Sequence, residues 1–250
     1  PNYLDALVNR ANALREMGSL AEALEAANRA VTLNPAHAEA CSNRGNVLQE
    51  LRRYQEALAA FDRAISLKPG YAEAHLNRGN ALKELLRYSE ALASFDAAIA
   101  LRPDYADAHI CRGAVLRDLG RLDEAIASHQ TGQRLAPHLA ASWLGLARID
   151  AELGRFAEAE RNYEQARLLE PDNVHSLIGL ADTRKYETGD PLIDAVEANL
   201  RRADLTAHDR GLLHHAYAKM NNDLGRHDDA FVNYALSKTY LDSSFDMGRH

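Results

Sequence analysis

Ala72 to Tyr105 reads AEAHLNRGNALKELLRYSEALASFDAAIALRPDY. Small residues stand at Gly79, Ala91 and Ala98, a ring at Phe95, and a proline at Pro103. The run Leu85-Leu86-Arg87-Tyr88 interrupts the apolar periodicity near the middle, which divides the stretch into helix, turn and helix. The same arrangement recurs on both sides. Of seven prolines, six (Pro1, Pro35, Pro69, Pro103, Pro137 and Pro171) follow at a constant step of 34 residues, and only Pro191 is out of phase. Units counted from three residues after each proline begin at Leu4, Ala38, Ala72, Ala106, Ala140 and Val174.

Within the units, the eighth place holds Ala11, Gly45, Gly79, Gly113, Ala147 and Ala181, and the twenty-fourth holds Ala27, Phe61, Phe95, His129 and Tyr163. Small residues at fixed places let two helix backbones approach, and the larger residue fills the space beside them. Mid-unit breaks recur at Gly18, Arg52, Leu86, Gly120 and Gly154. Glu22, Glu56, Glu90, Glu124 and Glu158 then fall in the first turn of the following helix, where the dipole favours them. The proline ends each hairpin, because the residue before it is driven out of the helical region.

A helical hairpin of this length and pattern resembles the tetratricopeptide repeat family. The resemblance implies an all-α solenoid, a right-handed superhelix of antiparallel helix pairs whose first helices line a concave groove. It covers a regular array over 1–173 (units 4–37, 38–71, 72–105, 106–139 and 140–173). Beyond Asn173 the step slips: a first helix is expected to reach Tyr186, followed by an insertion over 187–191, which makes 174–210 an irregular sixth hairpin. A seventh unit is expected over 211–242, and 243–250 reads as a polar tail. Pro1, Asn2 and Tyr3 resemble the end of an earlier repeat, so an upstream extension is an expectation.

At 100° per residue, places 2, 5, 6, 9, 12 and 13 of the first helix share the face opposite the small and apolar core places. The sixth and ninth places are Asn9 and Asn12, then Asn43 and Asn46, then Asn77 and Asn80. A primary amide both donates and accepts, so this ladder suits the backbone of an extended peptide. The fifth place supplies Val8, Ser42, Leu76, Ile110, Leu144 and Ile178, of which Leu76, Ile110 and Leu144 are expected to give the groove an apolar stripe. An alternative use of the amides is to cap turns or to bridge neighbouring first helices, with no ligand. Similar asparagines line the repeat region of O-linked N-acetylglucosamine transferases. The carboxylate clamp of chaperone-binding members is matched at Asn12 and Asn43 but loses its lysines to Val8 and Glu73. Arg10, Arg44, Arg78 and Arg112 at the seventh place are expected to put their heads on carboxylates or helix-end carbonyls, and Glu16, Glu50, Glu84, Asp118 and Glu152 to form a solvated face or, alternatively, an acidic rim to the groove.

The formal charge of −7 is the wrong sign for a protein that grips a phosphate backbone, so nucleic acid is not an expected partner. No apolar run is long enough to cross a bilayer, and no membrane insertion is expected. Two cysteines, Cys41 and Cys111, cannot form a disulfide framework and fit a reducing, cytoplasmic setting. No glycine-rich phosphate loop, paired-histidine helix or nucleophile elbow occurs, so neither catalysis, metal nor cofactor is expected. The leading expectation is a scaffold that holds a protein or extended peptide in its groove. A second comes from Asp190 to Phe231, which resembles the segment that joins repeats to the catalytic domain in bacterial repeat-containing sulfotransferases. It implies a non-catalytic recognition arm of a larger enzyme, a sulfotransferase or glycosyltransferase.

Overall fold

The computed structural model describes the backbone of residues 2–247 and the side chains of residues 3–242; Pro1 and residues 248–250 lie outside the described residues. Among the described residues there are fourteen α-helices, and the chain divides into two compact units, Pro1–Leu135 and Ala136–His250.

The first unit contains four hairpins: α1 (Asn2–Glu16) with α2 (Leu20–Leu33), α3 (Ala38–Glu50) with α4 (Tyr54–Leu67), α5 (Ala72–Glu84) with α6 (Tyr88–Leu101), and α7 (Ala106–Asp118) with α8 (Leu122–Leu135). Each hairpin packs on itself, each of the first three packs on the next, and consecutive first helices also touch, α1 with α3, α3 with α5 and α5 with α7. The second helices stop at Leu33, Leu67 and Leu101, two residues before a proline. The intervening Asn34, Lys68 and Arg102 are thrown into extended backbone at φ −141°, −139° and −141°.

The turn inside each hairpin has one geometry. The N–H of Ser19, Arg53, Arg87 and Arg121 returns to the carbonyl of Leu14, Leu48, Leu82 and Leu116, which is the double-bonded helix end that needs a left-handed residue. Gly18 and Gly120 supply it at φ 76° and 72°, but Arg52 and Leu86 adopt φ 59° and 58° without the freedom of glycine. The core is built from glycine and ring. A Cβ on Gly45 would meet Cε1 of Phe61 at 2.6 Å, one on Gly79 would meet Cε1 of Phe95 at 2.5 Å, and one on Gly113 would meet Cδ2 of His129 at 2.8 Å. The eighth and twenty-fourth places are therefore socket and plug of the same hairpin.

The second unit opens with one regular hairpin, α9 (Ala140–Glu152) and α10 (Phe156–Leu169), and continues with α11 (Val174–Thr183), α12 (Pro191–Leu200), α13 (Ala207–Asp223) and α14 (His227–Met247). Its core joins Ala147, Tyr163, Leu177, Leu180, Val196, Leu213 and Met220, so it draws on five helices. Helix α11 ends at Thr183 rather than at Tyr186. Arg184 turns extended at φ −147°, and Tyr186 folds back into the core with its hydroxyl donating to the Leu180 carbonyl at 2.6 Å. Caps mark the new starts: Asn173 accepts from His175 and Ser176, Asp190 from Leu192, and Thr206 from Asp209. Helix α14 runs to Met247, past Asp242 and into the stretch read as a tail.

Candidate functional site

Helices α1, α3 and α5 carry the six asparagines, and the packing of neighbouring first helices brings part of the ladder into contact. The Asn77 amide donates from Nδ2 to Oδ1 of Asn46 at 2.8 Å, which joins α5 to α3. Asn43 is 8% exposed, and its Nδ2 is buried with no hydrogen-bond acceptor among the described residues. Asn9 is exposed, whereas Asn12 and Asn80 are half-buried. The row is therefore graded, with a buried donor at Asn43, a bonded pair at Asn46 and Asn77, and accessible amides at either end.

Asn80 opens onto a cleft of about 420 Å³ whose other walls are Gln49, Glu50, Tyr54, Lys83 and Glu84. Gln49 presents a buried Oε1 that accepts nothing among the described residues. Asn43 thus lacks an acceptor for its donor, and Gln49 a donor for its acceptor. Gln49 and Lys83 stand at the twelfth place, on the face assigned from sequence, yet only the asparagines repeated often enough to stand out.

The fifth and thirteenth places differ in exposure. The fifth place is not an open apolar stripe, because Val8, Ser42, Leu76 and Ile110 are all buried. First helices lie close enough to cover one another there, and Val8 packs with Leu7, Ala30 and Ala40. In the second unit Leu144 packs against the cluster that holds Tyr163, Leu177 and Leu180. Leu76 and Ile110 are accordingly buried, and Leu144 is half-buried. Three of the five thirteenth-place acids are paired with bases. Arg15 reaches Glu50 at 2.6 Å, Lys83 reaches Glu84 at 3.3 Å and Arg117 reaches Asp118 at 2.7 Å, which leaves an edge of alternating charge.

Rings at the fourth place are structural, since His75, His109 and Trp143 bond the carbonyls of Pro69, Pro103 and Pro137 at 3.1, 3.0 and 3.0 Å. His214 stacks on Tyr240 and bonds Asn233 at 2.8 Å. Among the described residues no group of three or more His, Cys, Asp or Glu is placed to hold a metal, and no helix is long and apolar enough to cross a membrane. Both cysteines are free. Burial pushes the Cys111 thiol up to about 11, far from the range of a reactive thiolate.

Four family models described as tetratricopeptide repeat match residues 4–37, 38–71, 76–140 and 116–181. The chain is a tetratricopeptide repeat protein. The matched spans end at residue 181, before the stretch from Asp190 to Phe231. No curated protein matches the chain significantly. Among solved structures, a tetratricopeptide repeat protein from Parabacteroides merdae ATCC 43184 is 19% identical with a TM-score of 0.69, over 96% of this chain and 94% of that one. PilW, described as a widely conserved type IV pilus biogenesis factor, is 20% identical with a TM-score of 0.65, over 97% and 95%. YrrB, described as a tetratricopeptide repeat protein with an unusual peptide-binding site, is 24% identical with a TM-score of 0.54, over 68% and 88%. At these identities the likeness is one of fold, and this repeat protein shares with them its stacked helical hairpins.

Proposed function

We propose that this repeat protein is a non-catalytic interaction scaffold that binds an extended segment of a partner protein across the first helices of its first unit. The observation that carries the reading is the unmet Oε1 of Gln49 on the wall of the open cleft at Asn80, together with the unmet Nδ2 of Asn43 on the same helix. Buried amides of this kind are costly when unpaired, and a peptide backbone brings one donor and one acceptor per residue. The compensated edge of Glu50, Glu84 and Asp118 supports a partner of mixed polarity rather than a strongly basic one. The formal charge of −7 argues against nucleic acid, and the free thiols suit a reducing compartment such as the cytoplasm. The peptide-binding site of YrrB supports the class of partner.

Selecting peptides from a random displayed library against the intact chain tests the reading. A selected peptide should bind the Asn43→Ala/Asn80→Ala double variant more weakly by about 1–3 kcal/mol in calorimetry, with the helical circular-dichroism signal retained. Unchanged affinity in that variant, or a library that yields no binder, would remove the amide row from the function.

A further inference from the structure

The seventh-place arginines form an internal comparison. Arg78 donates from Nε to Asp62 at 2.6 Å and from Nη1 to the Ser94 hydroxyl at 2.6 Å. One repeat later, Arg112 does the same with Asp96 at 2.7 Å and Ser128 at 2.7 Å. Each guanidinium is thus closed by a carboxylate from the preceding second helix and a hydroxyl from its own. One repeat earlier, the corresponding residues are Asn28 and Ala60. Neither serves Arg44, whose Nε is buried without a hydrogen-bond partner among the described residues. Losing both partners leaves a space. A cavity of about 160 Å³ lies there, walled by Val31 of α2, Cys41 and Arg44 of α3, and Glu56, Ala60 and Arg63 of α4. This is room for a carboxylate and the methylene that bears it.

The cavity wall carries two arginines and one acid. Glu56, the acid on its wall, is already held by both oxygens on Arg53 at 2.7 Å. Arg63 makes only a long contact, 3.4 Å, to the Pro35 carbonyl. Arg63 and Arg44 both pull the Cys41 thiol down against the upward push of burial, so both positive charges are felt inside. We infer that this cavity is a carboxylate-binding site, in which Arg44 and Arg63 take from a ligand the carboxylate that Arg78 and Arg112 receive from Asp62 and Asp96. It shares no residue with the amide row, and its ligand is either a small carboxylic acid or an acidic side chain of a partner.

Side-chain Nε–H resonances of the intact, nitrogen-15-labelled chain read the site directly. Acetate, the peptide acetyl-Gly-Glu-Gly-amide and inorganic phosphate are titrated separately. The Arg44 signal should shift saturably with a carboxylate while those of Arg78 and Arg112 stay in place. A response to acetate assigns a small acid, and a response to the peptide alone assigns a partner's side chain. The Asn28→Asp/Ala60→Ser variant, which copies the partner set of the next two repeats, should weaken the carboxylate response at least about tenfold. A silent Arg44 signal with both carboxylates, a tighter response to phosphate than to either, or full binding in the double variant would overturn the assignment.

Discussion

One methyl group added to Gly79 would stand 2.5 Å from a ring carbon of Phe95, a side chain with no exposed surface. Gly79→Ala should therefore destabilise the chain by about 1–3 kcal/mol, as overpacking does, read as a lower urea midpoint, and Gly79→Ala/Phe95→Leu should recover part of the loss. Leu86 poses the opposite case. It is exposed and sits at φ 58° where other hairpins have glycine, so Leu86→Gly should stabilise by about 1 kcal/mol on the same assay. Both sites were legible as places in the sequence, because socket and plug lie sixteen residues apart in every regular unit. The orphan state of Arg44 was not legible. It depends on what Asn28 and Ala60 fail to offer across two helices, and only the sister repeats reveal the omission.

At the scale of the helix, the second helices α4, α6 and α8 begin with an arginine that grips the glutamate three residues on: Arg53 with Glu56, Arg87 with Glu90 and Arg121 with Glu124. The hydrogen bond from the arginine holds each glutamate below its ordinary value of 4.5. A carboxyl depressed in the folded state contributes stability above its ordinary range and loses it as the pH falls through its folded value. The melting temperature should thus decline from about pH 5 downward, and Arg53→Gln/Arg87→Gln/Arg121→Gln should flatten that decline. Asp150 and Asp182 act in reverse, since burial raises them above 3.8 and acid favours their neutral forms. Helix existence was readable from periodicity, but the end of α11 was not. No glycine or proline marks Thr183, and the cause is the burial of Tyr186 three residues later.

For the molecule as a whole, the regular repeat pattern runs through residue 173, whereas the compact units divide at Leu135 and Ala136. A fragment 1–135 keeps all four glycine-and-small-residue cores of its hairpins and should melt cooperatively by circular dichroism. A fragment 1–173 cuts through the cluster that joins Tyr163 to Leu177 and Leu180, so its last hairpin should exchange amide hydrogens fastest. A last hairpin as protected as the others would refute this. The cut is invisible to a count of prolines, because the ruler measures hairpin length and the cluster of the second unit depends on residues beyond it.

The pairing of Gly45 with Phe61, Gly79 with Phe95 and Gly113 with His129 has a genetic consequence. Each ring is seated within its own block of the chain, while Arg112 would find Asp62 in place of Asp96 if residues 72–105 were lost. Unequal crossing-over in whole repeats within 38–139 therefore leaves these three sockets filled, and an ancestor of this chain could change its length there by recombination without passing through an unfolded product.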